Sequence, residues 1–156
     1  MQNIVNRLRA EKDDKGFTLI ELLVVVVIIG VLVAIAVPVY LNYRQGAADK
    51  SAQSDVRGAI SAIEQYYTDN GNAYPATTTG DNSTGTVPSI ALGATQKITL
   101  SDKTKLFYYL ASATATSYKI CATNAGGSTK WYLYDSSNGG SVASSATMTT
   151  PTTCTP

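Results

Sequence analysis

The 156-residue sequence has no histidine and only two cysteines, Cys121 and Cys154. Without histidine the chain can form neither a Ser-His-Asp triad nor a His-ligated zinc site, and two cysteines alone do not complete a structural zinc site. The sequence also shows no glycine-rich nucleotide loop and no paired catalytic carboxylates. These absences argue against an enzyme, and we expect neither a metal nor a cofactor.

Charge is scarce and balanced, with 12 Lys and Arg against 11 Asp and Glu. A neutral chain has no bulk electrostatic attraction to nucleic acid, so general nucleic-acid binding is not expected. A local patch of Lys97, Lys103 and Lys105 remains a weaker candidate for nucleic-acid binding.

The most informative segment that is present is an apolar run of 25 residues, from Phe17 to Leu41, whose single charge is Glu21. As an α-helix this run would be about 37 Å long, which is enough to cross a bilayer core of about 30 Å. A carboxylate near the end of such a helix is usually functional, because lipid offers it no partner. The run therefore predicts a membrane-spanning helix with a functional site at Glu21.

Two residues weaken this helix. Gly30 lowers helix propensity, and Pro38 lacks an amide donor and clashes with the preceding turn. We expect the helix to be loosened between residues 30 and 38. The alternative is that a lipid-embedded helix tolerates both residues without consequence.

Beyond the apolar run, residues 42–70 show an amphipathic helical pattern. The apolar positions recur at three- and four-residue steps: Ala52, Val56, Ala59, Ile60, Ile63 and Tyr67. We expect one helix to continue out of the membrane, with this stripe buried under a head domain, and to end at Asn70-Gly71.

The head should span residues 71–156. Residues 71–94, rich in Thr, Gly, Ser and Pro, are expected to form a long connection that wraps over the head surface and is a candidate functional loop. Four strands are predicted, the last three as an antiparallel meander: Lys97–Leu100, Leu106–Ala111, Tyr118–Thr123 and Lys130–Tyr134. The tail from Ser136 onward has little apolar content, and a Cys121–Cys154 disulfide would pin it if the head is exported. Two buried free thiols are the alternative.

The eight residues KGFTLIEL, at positions 15–22, resemble the processing motif of type IV pilins and the related pseudopilins. The resemblance extends over about residues 15–75 and includes the segment YTDNGNAYP that ends at Pro75. It implies an α+β fold, in which a long N-terminal α-helix with a membrane-spanning half and an amphipathic half packs on a small antiparallel β-sheet head.

The resemblance also implies a maturation pathway. A membrane-embedded prepilin peptidase would remove a cytoplasmic leader, residues 1–16, by cutting between Gly16 and Phe17, and the new Phe17 amine would be methylated. With the pilus assembly machinery, identical subunits would then leave the membrane lipid. They would form a surface filament with residues 17–41 as its core, serving adhesion, motility or DNA uptake.

Three roles are open to Glu21. With Thr18 it can form a capping box, worth about 1 kcal/mol. It can also favour the positive end of the helix dipole. In the third role it pairs with the Phe17 amine of a neighbouring subunit. We favour adding the third, because Ser, Asn or Gln could cap a helix without the cost of a carboxylate in lipid.

Three alternatives to a pilin remain. The chain can be a pseudopilin of a type II secretion or competence system, or a membrane-anchored binding module whose long loop binds DNA or a surface. Alternatively, Ala34-Ile35-Ala36 can be a signal-peptidase site, which would make Val37 the mature N-terminus instead of Phe17.

Overall fold

The structure, a computed structural model, describes residues 16–156. Of the leader predicted over residues 1–16, all but Gly16 lies outside the described residues. The chain divides into two compact units between Tyr40 and Leu41.

A single helix, α1 (Leu19–Asp69), contains both the apolar run and the amphipathic stretch. It is continuous through Gly30 and Pro38. Large apolar side chains between Phe17 and Leu41 are about half or more exposed, from 48% to 82%. By length and composition, α1 is able to cross a membrane.

The second unit holds seven strands and a short 3-10 turn, Pro151–Thr153. The strands are β1 (Thr78–Asp81), β2 (Ser89–Leu92), β3 (Gln96–Thr99), β4 (Thr104–Leu110), β5 (Tyr118–Asn124), β6 (Trp131–Asp135) and β7 (Ala143–Ser145). Five of them form an antiparallel sheet in the order β1-β4-β5-β6-β7. The other two, β2 and β3, pair as a separate antiparallel hairpin.

The core lies between the second half of α1 and one face of the five-stranded sheet. On the helix, Ala52, Val56, Ala59 and Ile63 are fully buried. They pack with alternate residues of β4 and β5, namely Leu106, Tyr108, Leu110, Tyr118, Ile120 and Ala122. Each large aliphatic side chain buried in this way contributes about 1.5–3 kcal/mol. The predicted α+β architecture is confirmed, and so are four of the six predicted stripe positions, whereas Ile60 and Tyr67 are only half-buried.

The head differs from the expectation in two segments. Residues 71–94 are not a strand-free loop, because they contain β1 and β2. Strand β1 fits there because Gly80 has no side chain where Ile90 and Leu100 pack against it. The tail also contains β7 and the 3-10 turn. Strands β1 and β7 contain no large apolar residue, so they carry little of the alternation that predicts strands, whereas in β2 the apolar Ile90 and Leu92 do alternate with less buried residues.

Other expectations are confirmed. Strands β4, β5 and β6 form the predicted antiparallel meander. Helix α1 ends at Asp69, just before Asn70-Gly71, and Gly71 adopts a φ of +68° that glycine tolerates without strain. Cys121 and Cys154 form a disulfide. Because strand residues alternate faces, Cys121 lies on the face of β5 opposite to the helix-facing Ile120 and Ala122.

Candidate functional site

The first turn of α1 carries the capping box that the sequence predicts. The backbone N–H and the hydroxyl of Thr18 donate to Oε2 of Glu21, at 2.8 Å and 2.6 Å. In return the backbone N–H of Glu21 donates to the Thr18 hydroxyl oxygen at 3.3 Å. Two amides that a helix start leaves without an intrahelical partner are thereby satisfied.

This cap uses only one side of the carboxylate. Both Thr18 donors reach Oε2, and none of the described residues donates to Oε1 of Glu21. The flanking side chains are apolar and exposed, with Phe17 76% and Ile20 66% exposed. The site thus presents one carboxylate oxygen on an apolar surface, an arrangement that suits a cationic group brought in with apolar surface of its own.

The other residues singled out from the sequence lie apart from Glu21. Gly16 and Phe17 lie just before the helix and are exposed, and none of the residues that the structure describes lies within 4 Å of the position that a side-chain carbon on Gly16 would take. Gly30 and Pro38 are nine and 17 residues beyond Glu21, about 13 Å and 25 Å along a helix axis. Among the described residues that the sequence singled out, Phe17 and Thr18 are the ones that lie beside Glu21.

Two buried carboxylates on α1 were missed. Asp49 and Asp55 are 7% and 8% exposed. Asp49 accepts the backbone N–H of Ser128 at 2.9 Å and its hydroxyl at 2.5 Å. Asp55 accepts the N–H and hydroxyl of Ser101 at 2.9 Å and 2.8 Å. We call these two contacts the aspartate clasps. They fix the β5–β6 and β3–β4 loops to the helix.

The clasps had a sequence signal. Asp49 precedes Ala52 by three residues, and Asp55 precedes Ala59 by four, so both aspartates continue the buried stripe. A further sign is Gly127, next to Ser128. A side-chain carbon there would collide with Oδ1 of Asp49, so only glycine allows this approach.

The sequence Asn82-Ser83-Thr84 matches a glycosylation sequon, but the structure shows a structural role for Asn82. The residue is 4% exposed, and its amide nitrogen donates to the carbonyl oxygens of Leu100 and Ser101 at 3.3 Å and 3.1 Å. Its side-chain oxygen accepts the backbone N–H of Val87 at 3.0 Å. In the folded head this nitrogen is not accessible to a glycan-transferring enzyme.

The segment ending at Tyr74-Pro75 folds back on the head core. The ring of Tyr74 lies 4.4 Å from that of Tyr67 and 5.0 Å from that of Tyr118, centroid to centroid. The Tyr118 hydroxyl donates to Glu64 at 2.7 Å, and burial together with this carboxylate raises the pKa of Tyr118. The buried Tyr108 hydroxyl donates to the Pro75 carbonyl at 3.1 Å. This cluster is structural.

The candidate lysine patch is partly neutralised. Lys105 lies directly opposite Asp81 across β1 and β4 and forms an ion pair with it at 2.8 Å. Hydrogen bonds from Lys105 and Ser83 lower the pKa of Asp81 to about 2. As for metals, residues 16–156 contain no group of three or more His, Cys, Asp or Glu side chains placed to hold an ion.

Comparison with known proteins finds similarity in a segment that includes the first turn of α1. A family model described as the prokaryotic N-terminal methylation motif matches residues 12–37. The type II secretion system core protein G of Escherichia coli is 37% identical over 83 residues, covering 53% of this chain and 57% of that protein. The type IV major pilin protein PilE1 of Neisseria gonorrhoeae is 43% identical over 58 residues, covering 37% and 35%.

The fimbrial protein EcpC of Eikenella corrodens is 44% identical over 63 residues, which is 40% of each chain. The chain thus spans about half or less of the length of the curated relatives it matches. The methylation motif, the long apolar helix behind it and the similarity to both pilins and a type II secretion core protein support a prepilin-like protein.

Proposed function

We propose that this protein is the structural subunit of a type IV pilus. It is cut between Gly16 and Phe17, methylated on the Phe17 amine and polymerised through residues 17–41. The head, residues 71–156, faces solvent in the filament, and residues 42–70 join the two parts. In this role the protein has no enzymatic activity.

The observation that supports the proposal most directly is that, among the described residues, only Oε2 of the Glu21 carboxylate accepts hydrogen bonds. Its own Thr18 occupies Oε2, and the exposed apolar side chains around it offer a surface that a second copy of the helix can cover. Cleavage after Gly16 turns the Phe17 peptide nitrogen into a cationic amine. That amine, carried by a neighbouring subunit, suits the second oxygen, Oε1.

Energetics favour pairing between subunits over capping alone. An acidic side chain at mid-bilayer costs about 2.5–3.5 kcal/mol, and less near the interface. A cap returns about 1 kcal/mol, and Gln can occupy the same capping position. An ion pair formed only in the assembled state offsets the remaining cost there, which drives assembly and sets the stagger between subunits.

Two variants separate the cap from the pair. Glu21→Gln keeps a capping side chain and removes the charge, whereas Thr18→Ala removes both hydroxyl contacts of the capping box, leaves the backbone N–H contact and keeps the charge. We expect Glu21→Gln to insert into membranes but form no filaments, while Thr18→Ala forms filaments after losing about 1 kcal/mol of helix stability. Electron microscopy of sheared surface material provides the measurement. Normal filament yield from Glu21→Gln would overturn the proposed pairing.

Processing is tested independently by mass spectrometry of the mature protein. We expect a chain that starts at N-methylated Phe17, whereas Gly16→Trp should accumulate as uncut precursor. A mature chain starting at Val37 would instead indicate an ordinary secretory signal.

A secretion pseudopilin is the second candidate, favoured by the 37% identity to the core protein G of Escherichia coli. Both candidates share the processing and the pairing. Filament length separates them, because a pilin forms long surface fibres and a pseudopilin short fibres within the envelope.

A further inference from the structure

A groove of about 390 Å³ lies beside α1 just past the end of the apolar run. Arg44 and Ser51 line it from the helix, Asp102 and Lys103 from the β3–β4 loop, and Gly126 from the β5–β6 loop. Two cationic side chains from distant parts of the chain therefore face one cavity. None of the functional roles described above uses this groove.

The loops of the groove are held in place by hydrogen bonds. Lys103 adopts a φ of +62°, with its N–H donating to the Asn82 carbonyl at 3.0 Å and its carbonyl accepting the Ala125 N–H at 2.9 Å. The aliphatic stem of Lys103 passes Gly126, since a side-chain carbon on Gly126 would lie 3.8 Å from its Cδ and 3.6 Å from Ala48. The missing side chain at Gly126 thus leaves the groove open.

The position of the groove along α1 indicates its ligand. Arg44 follows Leu41, the last residue of the apolar run, by three residues, which is about 4.5 Å along a helix. The headgroup layer of a bilayer is about 5–7 Å thick on each side. With the apolar run in the hydrocarbon, Arg44 lies at the level of the lipid phosphates, and guanidinium and ammonium groups are strong phosphate ligands.

The carboxylate of Asp102 narrows the choice of headgroup. It disfavours a ligand with more than one negative charge and can accept a hydrogen bond from an ammonium N–H. Phosphoethanolamine supplies one phosphate charge and three such donors, whereas the quaternary nitrogen of phosphocholine has none.

We propose that the groove formed by Arg44, Lys103 and Asp102 binds the headgroup of phosphatidylethanolamine while the subunit resides in the membrane. The proposal rests on the proposed function, because it requires a membrane-resident subunit before polymerisation. Binding there would hold the head against the membrane until the subunit enters a filament.

The test uses the full-length, isotope-labelled chain in phosphatidylcholine nanodiscs with increasing fractions of phosphatidylethanolamine. We expect saturable shifts of the Lys103 and Gly126 amide signals. Lys103→Gln should raise the half-saturating lipid fraction roughly tenfold, the loss expected for one charge-assisted hydrogen bond. Gly126→Leu, which fills the groove without removing charge, should act similarly. Lys97→Gln is the matched control and should respond like the wild type.

Soluble glycerophosphoethanolamine, added to the chain in maltoside micelles, distinguishes the source of the headgroup. Weak or absent shifts with this soluble compound support a ligand that is part of a lipid. Saturation as strong as that in the nanodiscs supports binding of the same headgroup chemistry from a free, soluble source. Responses that are absent at Lys103 and Gly126 in the nanodiscs, or unchanged in Lys103→Gln, would overturn the proposal. Filament yield is scored separately for Lys103→Gln and for Glu21→Gln. The nanodisc responses test the lipid site, whereas the filament yield of Glu21→Gln tests the proposed pilin function, so a failure of one is distinguishable from a failure of the other.

Discussion

Removing one aspartate clasp should destabilise the head strongly. In Asp55→Ala the N–H and hydroxyl of Ser101 lose the carboxylate oxygens that they contact at 2.9 Å and 2.8 Å. Asp55 is 8% exposed, so water replaces these contacts poorly. A buried donor left without a partner costs about 1–3 kcal/mol, and because Ser101 itself is only half-buried, we expect its two donors to lower the free energy of unfolding by about 2–4 kcal/mol, below the full sum.

Asp69→Ala is the matched control. Asp69 lies on the same helix and also accepts hydrogen bonds, from Gln65 at 3.0 Å and Gln96 at 2.6 Å, but it is exposed. Water can take over those contacts, and we expect a loss below about 1 kcal/mol. The difference between the two variants isolates the effect of burial from that of deleting a carboxylate.

The assay is urea unfolding of the full chain in maltoside micelles, followed by the fluorescence of Trp131, the single tryptophan, which lies on β6 of the head. Asp55→Asn, which keeps one acceptor oxygen, should fall between Asp55→Ala and the wild type. If Asp55→Ala and Asp69→Ala unfold within about 0.5 kcal/mol of each other, the clasp does not hold the loop, and the reasoning from burial is wrong.

Three further predictions concern the head and the helix. Gly127→Ala should destabilise the head by more than about 1 kcal/mol, because its new side chain collides with Asp49. Gly58→Ala, on the open face of α1, should instead stabilise the helix by up to about 1 kcal/mol. Equal effects of the two variants in the same urea assay would contradict the close approach of Gly127 to Asp49. Asp81 should titrate with a midpoint near pH 2 by carboxyl NMR, and Lys105→Met should raise that midpoint toward 3.8. Because the folded pKa is lowered, the stability from this ion pair is present above about pH 4 and disappears as the pH falls through 2; an unchanged midpoint in Lys105→Met would assign the shift elsewhere. Replacing both Cys121 and Cys154 by Ala should lower the head's stability by about 3–4 kcal/mol, given their separation of 33 residues, and a variant as stable as the wild type would show that the tail is held by other contacts.

The helix and its first turn were predictable because their signals are local. The capping box needs only Thr18 and Glu21 three residues apart, and the buried stripe repeats at the helical period. The meander of β4, β5 and β6 was readable for the same reason, since β4 and β5 largely alternate buried side chains with half-exposed ones.

What was missed depends on contacts between distant parts of the chain. Strand β1 contains no large apolar residue and exists because Gly80 lets Ile90 and Leu100 approach. The aspartate clasps join residues 46 and 79 positions apart, so the sequence could place Asp49 and Asp55 on the buried stripe but could not name Ser128 or Ser101 as their partners. For Glu21 the sequence predicts the local partner, Thr18, whereas the proposed second partner belongs to another subunit.

The central claim is tested most directly by an electron cryomicroscopy map of the filament that resolves the first turn of every subunit. Our account predicts that the Glu21 carboxylate lies within about 4 Å of the Phe17 amine of a neighbouring subunit, with Thr18 still capping the other oxygen. A map in which the carboxylate contacts only its own Thr18, far from every neighbouring N-terminus, would contradict it.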